Sequence, residues 1–356
     1  MEINKSQNRW IFWSFLFVFF CVSIYVLRSV LLPFVAGIVL GYLFDPWTSF
    51  LEKKGINRTF ATFLVMITAI LIFIPIIALL IHLFDEQLSR FLSGLPAYIA
   101  AFTKKIEPFI IDLQTRFPSL NAQKIREWIS SELAENSKLI GSLIKNILAK
   151  SFAFINLLSL LLITPVVTFY MLRDWDSFVK KVDGLLPRKS KKSIRQQAKE
   201  IDRTLAGFIR GQLSVCLLLG IYYGLGLFFI GLDLGIVIGL LAGFLSFIPY
   251  VGSILGFVLS IVMAFTQFNT LTPVILVVII FAVGQFLEGN FLTPKLVGDS
   301  VGLHPVWILF ALLAGGVLLG FLGLLIAVPA AAVTGVLVRH AINNYKQSNL
   351  YLEKEN

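Results

Sequence analysis

Residues 234–265 read LGIVIGLLAGFLSFIPYVGSILGFVLSIVMAF, a stretch without a charged side chain. A helix needs about 20 apolar residues to cross the roughly 30 Å hydrocarbon core of a bilayer, so this stretch is longer than one span requires. It contains several glycines, and Pro249 lies near its middle, where a missing amide hydrogen interrupts helical hydrogen bonding. The stretch therefore predicts a membrane segment that is broken.

A second stretch of the same kind, residues 305–338, is also Gly-rich and contains Pro329. Each stretch can fold as a bent long helix, as two short spans or as a re-entrant hairpin. Backbone groups freed at a break cannot be left unpaired in lipid, so each break is expected inside protein or beside a water-filled cavity. We predict hinges or helix breaks at Pro249, Gly252 and Pro329.

The whole chain has the composition of an integral membrane protein, because 57% of its 356 residues are hydrophobic and 14% are charged, against about 25% charged in a soluble domain. Apolar runs of about 14 residues or more predict an all-α polytopic protein with about eight transmembrane segments. No small-residue cleavage site follows the first run, so the first two runs predict a retained helical hairpin rather than a signal peptide. The runs cover residues 10–27, 30–44, 60–83, 152–172, 211–231, 234–265, 271–287 and 305–338.

Charge along the polar segments predicts the orientation in the membrane. Residues 173–210 contain 11 Lys and Arg against 5 Asp and Glu, whereas residues 85–150 are nearly balanced at 9 against 7. Because positively charged loops stay in the cytoplasm, the first segment is expected inside and the second outside, with both termini cytoplasmic. Apolar residues at helical spacing predict an amphipathic helix in the outer segment. The net charge of +10 is thus placed on a basic loop at the membrane, and nucleic-acid binding is not expected.

These features divide the chain into six parts. They are N-terminal membrane segments 1–3 (1–83), an extracytoplasmic amphipathic helical segment (84–151), membrane segment 4 (152–172), a basic cytoplasmic loop (173–210), a C-terminal membrane core that contains the expected transport site (211–338) and a cytoplasmic tail (339–356).

Charges are nearly absent from the C-terminal core. Between Gly211 and Val338 only four side chains are charged, and three of them lie in residues 285–299, QFLEGNFLTPKLVGD. A charge inside the bilayer costs about 2.5 kcal/mol or more, so an intramembrane carboxylate indicates a functional site. Gln285 and Glu288 are three residues apart and share a helix face, and the carboxyl group can exchange a proton against a substrate or an ion. The alternative is an ion pair between Glu288 and Lys295 that holds a loop at the membrane face.

We predict that five residues of this cluster bind the substrate or an ion, that the helix ends at Pro294 and that Gly298 is a further hinge. The five residues are Gln285, Glu288, Asn290, Lys295 and Asp299. Carbonyl groups freed at the Pro249 break are a second candidate for holding a cation or a polar substrate, and a purely structural turn is the alternative there.

No residue pattern indicates an enzyme, a metal site or a cofactor. Cys21 and Cys216 lie far apart in apolar runs and the three histidines are scattered, so neither a disulfide framework nor a metal-ligand spacing exists. Phosphate-binding, zinc-protease and serine-nucleophile motifs are missing from the sequence. We therefore expect no catalytic residue, no metal and no cofactor.

Five short motifs are spread along the chain: TPVVTFYMLRD at 164–174, GFIRGQ at 207–212, IPYVG at 248–252, EGNFLTPKLVG at 288–298 and Pro329 followed by alanine. Together with the N-terminal spans and the long polar segment, they resemble the autoinducer-2 exporter family of bacterial membrane proteins, also called PerM-like permeases, over essentially the whole chain. The resemblance implies a homo-oligomeric transporter of the bacterial inner (plasma) membrane. Members of that family are assigned either export of autoinducer-2 or sodium–proton antiport.

The expected function is secondary transport of a small solute out of the cell, with autoinducer-2 as one candidate and with linkage to protons or ions through Glu288. The expected partners are the lipid bilayer, a small-molecule or cation substrate and further copies of the chain. A sodium–proton antiporter is the alternative within transport. A non-transporting membrane scaffold that binds partner proteins is the alternative of another class.

Overall fold

The computed structural model describes residues 3–76, 78, 82, 111, 115, 151–188, 190–297, 302–347 and 351. The expected extracytoplasmic segment at 84–151 lies almost entirely outside these residues, as do Gly298 and Asp299. The described part is helical throughout. The helices are α1 (Ile3–Lys53), α2 (Arg58–Ile76), α3 (Ser151–Gly184), α4 (Lys191–Phe229), α5 (Gly235–Leu245), α6 (Val251–Gln267), α7 (Thr272–Leu287), α8 (Pro305–Leu319) and α9 (Phe321–Lys346), and a π-helix at Glu288–Val297 continues α7.

Helix length and composition confirm a polytopic membrane protein. Within the described residues, five helical stretches are long and apolar enough to cross a bilayer, and they lie at Val30–Lys53, Arg58–Ile76, Lys191–Phe229, Thr272–Val297 and Phe321–Lys346. The apolar helices α5, α6 and α8 are shorter. Large hydrophobic side chains are widely exposed, with Val317 at 85% and Phe229 at 81%, because lipid rather than water is the solvent for these faces.

The N-terminal hairpin predicted from the first two apolar runs is wrong. Helix α1 continues without a turn through residues 27–30 and is 51 residues long, or about 75 Å at 1.5 Å per residue. No glycine or proline lies between Leu27 and Val30 to end the helix. The first two of the four apolar runs before residue 173 thus belong to one helix, so a count of four spans no longer supports a cytoplasmic N-terminus. That placement stays a prediction.

One compact unit of the chain contains residues 1–67, 158–211 and 297–356. In this unit α3 packs closely along α1, because Gly37 leaves no room for a side chain against Val167. Two threonines of the TPVVTFYMLRD motif donate hydrogen bonds to backbone carbonyls of α1: Thr164 to Pro33 and Thr168 to Gly37, each at 3.2 Å. The first motif thus joins two membrane helices.

Helices α8 and α9 form an antiparallel hairpin in the same unit. The turn consists of Gly320, whose φ of 64° is a conformation that favours glycine. The far ends of the hairpin also meet, since Arg339 Nη1 donates a hydrogen bond of 3.2 Å to the Gly302 carbonyl. The run at 305–338 is therefore broken, as predicted, but not at Pro329, which lies inside α9. A proline removes one hydrogen bond, whereas a residue with positive φ redirects the chain.

The second unit contains residues 68–157 and 212–296, and its centre is another antiparallel hairpin, α5–α6. The break lies at residues 246–250 and includes Pro249, and Tyr250 has a φ of 68°. Gln267 joins the open ends, because it accepts a hydrogen bond from the Asp233 amide at 3.1 Å and donates one to the Gly231 carbonyl at 2.9 Å. Helix α5 is only 11 residues long, about 16 Å, and cannot cross the hydrocarbon core alone.

Glycines bring α5 against the C-terminal half of α4. A side chain at Gly239 would collide with the backbone of Gly224, and one at Gly243 with the backbone of Gly220. Two Gly-xxx-Gly pairs therefore face each other across this interface, and the helix backbones touch, as is common in membrane bundles.

Candidate functional site

The predicted binding cluster lies where α7 changes from α-helical to π-helical geometry. Helix α7 ends at Leu287, and Glu288 is the first residue of a ten-residue π-helix that contains Pro294. The predicted end of the helix at Pro294 is therefore wrong. A π-helix pairs each amide with the carbonyl five residues earlier, and Pro294, which has no amide hydrogen, leaves one such bond unmade inside it. Long π-helices are rare and are often found at functional sites.

Gln285 and Glu288 meet as their spacing predicts. Gln285 Nε2 donates a hydrogen bond of 2.8 Å to Glu288 Oε2. The carboxylate is half-buried and the amide is exposed. Glu288 therefore has a neutral donor as its partner.

The other described members of the predicted cluster point to different partners. Asn290 Nδ2 donates a hydrogen bond of 3.0 Å to the Phe286 carbonyl of its own helix. Lys295 Nζ lies 5.8 Å from the centroid of the Phe291 ring, and among the described residues it forms no salt bridge with Glu288. The alternative of a Glu288–Lys295 ion pair is thus not what the structure contains. Asp299 lies outside the described residues.

Tyr223 completes the site from α4. Its side chain is fully buried, and its ring stacks on Phe281 with centroids 4.5 Å apart and planes at 16°. The phenol lies against Gly284, where any side chain would collide with it. Its hydroxyl lies near the polar groups of Gln285 and Glu288, but it makes no hydrogen bond of ordinary geometry with any described residue. A buried hydroxyl without a partner costs about 1–3 kcal/mol.

Sequence reasoning missed Tyr223, because a tyrosine in an apolar run looks like ordinary packing. A signal was nevertheless present. Tyr222 and Tyr223 are adjacent on α4, and Tyr222 donates a hydrogen bond of 3.1 Å to the Ile280 carbonyl of α7. Two neighbouring tyrosines in one span place two hydroxyl groups in a region where each must find a partner.

Gln212, the last residue of the GFIRGQ motif, was not among the predicted site residues. It is 6% exposed, and its Nε2 donates a hydrogen bond of 2.7 Å to the Ser246 carbonyl at the end of α5. Ser246 Oγ in turn donates to the Ala242 carbonyl at 2.8 Å, and Gly252 packs without room for a side chain against Ala242 and Ser246. The break around Pro249 is therefore closed by protein groups, which favours the structural interpretation of this turn over a cation site.

A separate charged cluster lies in the first unit, around a cleft of about 630 Å³. Arg58 forms ion pairs with Asp45 at 3.2 Å, Glu52 at 2.8 Å and Asp176 at 3.6 Å. Arg210 of the GFIRGQ motif pairs with Asp45 at 3.4 Å. The cluster joins α1, α2, α3 and α4 within this unit. Sequence reasoning did not find it, because its members are separated by up to 165 positions along the chain.

The sequence profile described as AI-2E family transporter matches residues 15–343. This chain belongs to the AI-2E transporter family. Among similar proteins, YrrI of Bacillus subtilis (strain 168), named as a candidate transport protein, is 31% identical over 88% of this chain and 87% of its own. PerM of Escherichia coli (strain K12), named as a candidate permease, is 26% identical over 87% of both chains. Protein sll0063 of Synechocystis sp., also named as a candidate transport protein, is 28% identical over 83% and 73%.

Membership of the AI-2E family confirms the predicted resemblance and the function at its coarser level. The protein is a multi-pass membrane transporter and not an enzyme. Among the described residues, no group of three His, Cys, Asp or Glu side chains is placed to hold a metal ion.

Proposed function

We propose that this AI-2E family protein is a secondary exporter of a small polar solute and that Glu288 links the export to a proton or a monovalent cation. The observation that carries the proposal is the environment of the Glu288 carboxylate. It is half-buried in an apolar helix, it receives a hydrogen bond from the neutral Gln285, and no cation pairs with it among the described residues.

The cost of charge in the bilayer supports this role. An uncompensated carboxylate at membrane depth is unfavourable by about 2.5 kcal/mol or more, so binding of a proton or a cation relieves that cost. Gln285 uses its amide nitrogen on Glu288, which leaves its amide oxygen for a ligand. The Glu288 carboxylate, the Gln285 amide oxygen and the Tyr223 hydroxyl together form a set of three oxygen groups of different chemistry. Such a set suits a proton, a small hard cation or a hydroxylated solute.

The surrounding helices support movement at the site. At the Gly-xxx-Gly interface the backbones of α4 and α5 are in contact, and the Leu240 side chain packs on Gly220 and Gly224. The π-helix after Glu288 is a second adjustable element, because one π-turn differs from an α-turn by a single extra residue. A shift between the two geometries would change the direction in which the carboxylate faces.

Sodium–proton antiport is the second candidate, favoured by the same observation. An acidic side chain with neighbouring amide and hydroxyl oxygens can bind a sodium ion and a proton alternately, as hard cations prefer oxygen ligands. The two candidates share Glu288 and differ in what is carried. Under both, we place the protein in the inner membrane as a homo-oligomer with cytoplasmic termini.

Everted membrane vesicles with a pH-sensitive dye distinguish the candidates. After a proton gradient is established, addition of sodium should dissipate it in the antiporter and leave it unchanged in the exporter. In the exporter, comparison of metabolites inside and outside cells with and without the gene should show one small polar solute retained when the gene is absent. The proposal is contradicted when sodium leaves the proton gradient unchanged and no solute is retained in cells that lack the gene.

A further inference from the structure

A second cavity, of about 710 Å³, lies in the first unit between α1 and the α8–α9 hairpin. Its walls are apolar. Small residues of α9 leave space along one side of it, and they are Gly323, Ala327, Ala330 and Gly335. Thr334 also lines it, but the hydrogen of its hydroxyl is already donated to the Ala330 carbonyl at 2.8 Å. We call this cavity the α1/α8/α9 groove.

One end of the groove carries a positive charge. Leu303 and Gly335 line that end and contact each other. Arg339 lies one helical turn beyond Gly335, and its Nη1 is held by the carbonyl of Gly302, next to Leu303. The guanidinium is exposed, and no carboxylate pairs with it among the described residues. Four of its five N–H donors thus remain for a partner outside this hydrogen bond.

The dimensions and aromatic content of the groove match one leaflet of a bilayer. From Gly323 to Gly335 the helix rises about 18 Å, slightly more than half of the roughly 30 Å hydrocarbon core. Trp307 lies near the charged end and is 61% exposed. Tryptophan is enriched at the level of the lipid headgroups, so Trp307 supports placing the Arg339 end at the membrane surface.

We infer that the α1/α8/α9 groove binds an anionic phospholipid, with one acyl chain along the small residues of α9 and the phosphate at Arg339. The walls lie in apolar helices that face lipid, so an acyl chain is the apolar molecule present at the highest concentration there. The guanidinium supplies paired donors in the geometry that a phosphate accepts. The groove contains no residue of the Glu288 cluster, and the inference does not depend on the proposed transport cycle.

Lipid retention by the purified full-length protein tests this inference. The protein in detergent is mixed with phosphatidylglycerol or with phosphatidylcholine, and retained lipid is counted by native mass spectrometry. Wild-type protein should retain phosphatidylglycerol preferentially. Arg339→Gln should lower that retention about fivefold, whereas Arg339→Lys should keep most of it. Lys346→Gln, a control on the same helix outside the groove lining, should match wild type.

A second pair of variants tests the acyl-chain part. Ala330→Trp should fill the groove and abolish retention of either lipid at this site, whereas Leu337→Trp, an exposed residue outside the lining, should not. Equal retention by wild type, Arg339→Gln and Ala330→Trp would overturn the inference. A changed subunit number in Ala330→Trp with unchanged lipid retention would also overturn it, since a second copy of the chain would then be the occupant.

Discussion

Tyr223 stacks on Phe281 with ring centroids 4.5 Å apart, and this stacking holds a buried hydroxyl beside the Gln285–Glu288 pair. Phe281 precedes Glu288 by about two helical turns on α7, so the ring that fixes Tyr223 and the carboxylate that its hydroxyl approaches belong to one helix. Any movement of α7 relative to α4 changes the distance between hydroxyl and carboxylate. The Tyr223–Phe281 contact therefore couples the packing of α4 and α7 to the environment of Glu288.

Tyr223→Phe separates packing from function. The substitution keeps the ring and its stacking but removes a hydroxyl that has no ordinary hydrogen-bond partner among the described residues, so thermal stability in detergent should be unchanged or slightly higher. Transport should nevertheless fall severalfold if the hydroxyl contributes to the site. Tyr222→Phe is the matched control, because it removes a satisfied hydroxyl; a loss of transport in the control alone would argue against a role for Tyr223.

Gln212→Met should destabilise the protein by about 1–3 kcal/mol. It removes the donor to the buried Ser246 carbonyl at the end of α5 while keeping a side chain of similar size. The midpoint of thermal unfolding in detergent measures the effect. Gln267→Met, which removes more exposed hydrogen bonds at the other end of the same hairpin, should cost less, and the reverse order would contradict this account of the break.

Gly239→Ala should disrupt the α4–α5 interface. The new methyl group would collide with the Gly224 backbone, which cannot move aside as a flexible side chain can, and overpacking of this kind costs about 1–3 kcal/mol or more. Gly184→Ala, at a position with open space around it, should be close to neutral. The midpoint of thermal unfolding of both variants in the same detergent measures the difference. Equal midpoints would contradict the close backbone contact between α4 and α5.

Asp183 predicts a pH dependence in the connection between α3 and α4. Hydrogen bonding from the Arg195 guanidinium, with Lys191 nearby, holds the pKa of Asp183 well below its usual range. Because the folded-state pKa is lowered, the stabilisation is complete above the ordinary carboxyl pKa of about 4 and is lost as the pH falls below it. Protection of the Leu185, Leu186 and Arg188 amides, measured as hydrogen exchange relative to the intrinsic rate at each pH, should therefore stay constant from pH 8 to pH 5 and fall in more acidic buffer.

The matched variants for this connection are Asp183→Asn and Glu200→Gln. The first should show the same low protection of the Leu185, Leu186 and Arg188 amides at every pH, since no charge is left to titrate. The second changes an exposed carboxylate of α4 outside these contacts and should follow wild type. Equal amide protection in Asp183→Asn and wild type would contradict the assigned ion pair.

The sequence predicted much of the fold, for reasons visible at particular residues. Apolar length identified the membrane helices, and the two over-long runs are both broken. The position of the second break was misjudged, because Pro329 drew attention while Gly320, with its positive φ, makes the turn. The N-terminal hairpin was misjudged because two apolar runs were separated only by Arg28 and Ser29, which a helix accommodates.

The candidate site was predicted in part. Gln285 and Glu288 are neighbours on one helix, so their contact follows from spacing alone. Tyr223 is 65 positions from Glu288 and Gln212 is 34 positions from Ser246, and a single sequence contains no information on such pairings. Lys295 shows that proximity in sequence can also mislead. Its short separation from Glu288 suggested an ion pair, but in the π-helix the lysine lies over the Phe291 ring.

Proton flux through purified protein in liposomes tests the role of Glu288 most directly. With a sodium gradient or the identified solute as driving force, wild-type protein should move protons, and Lys295→Gln, which keeps the carboxylate, should do the same. Glu288→Gln should retain its fold and its hydrogen-bonding partner Gln285 yet show no linked proton movement. Proton flux at the wild-type rate in a folded Glu288→Gln protein would contradict the central claim.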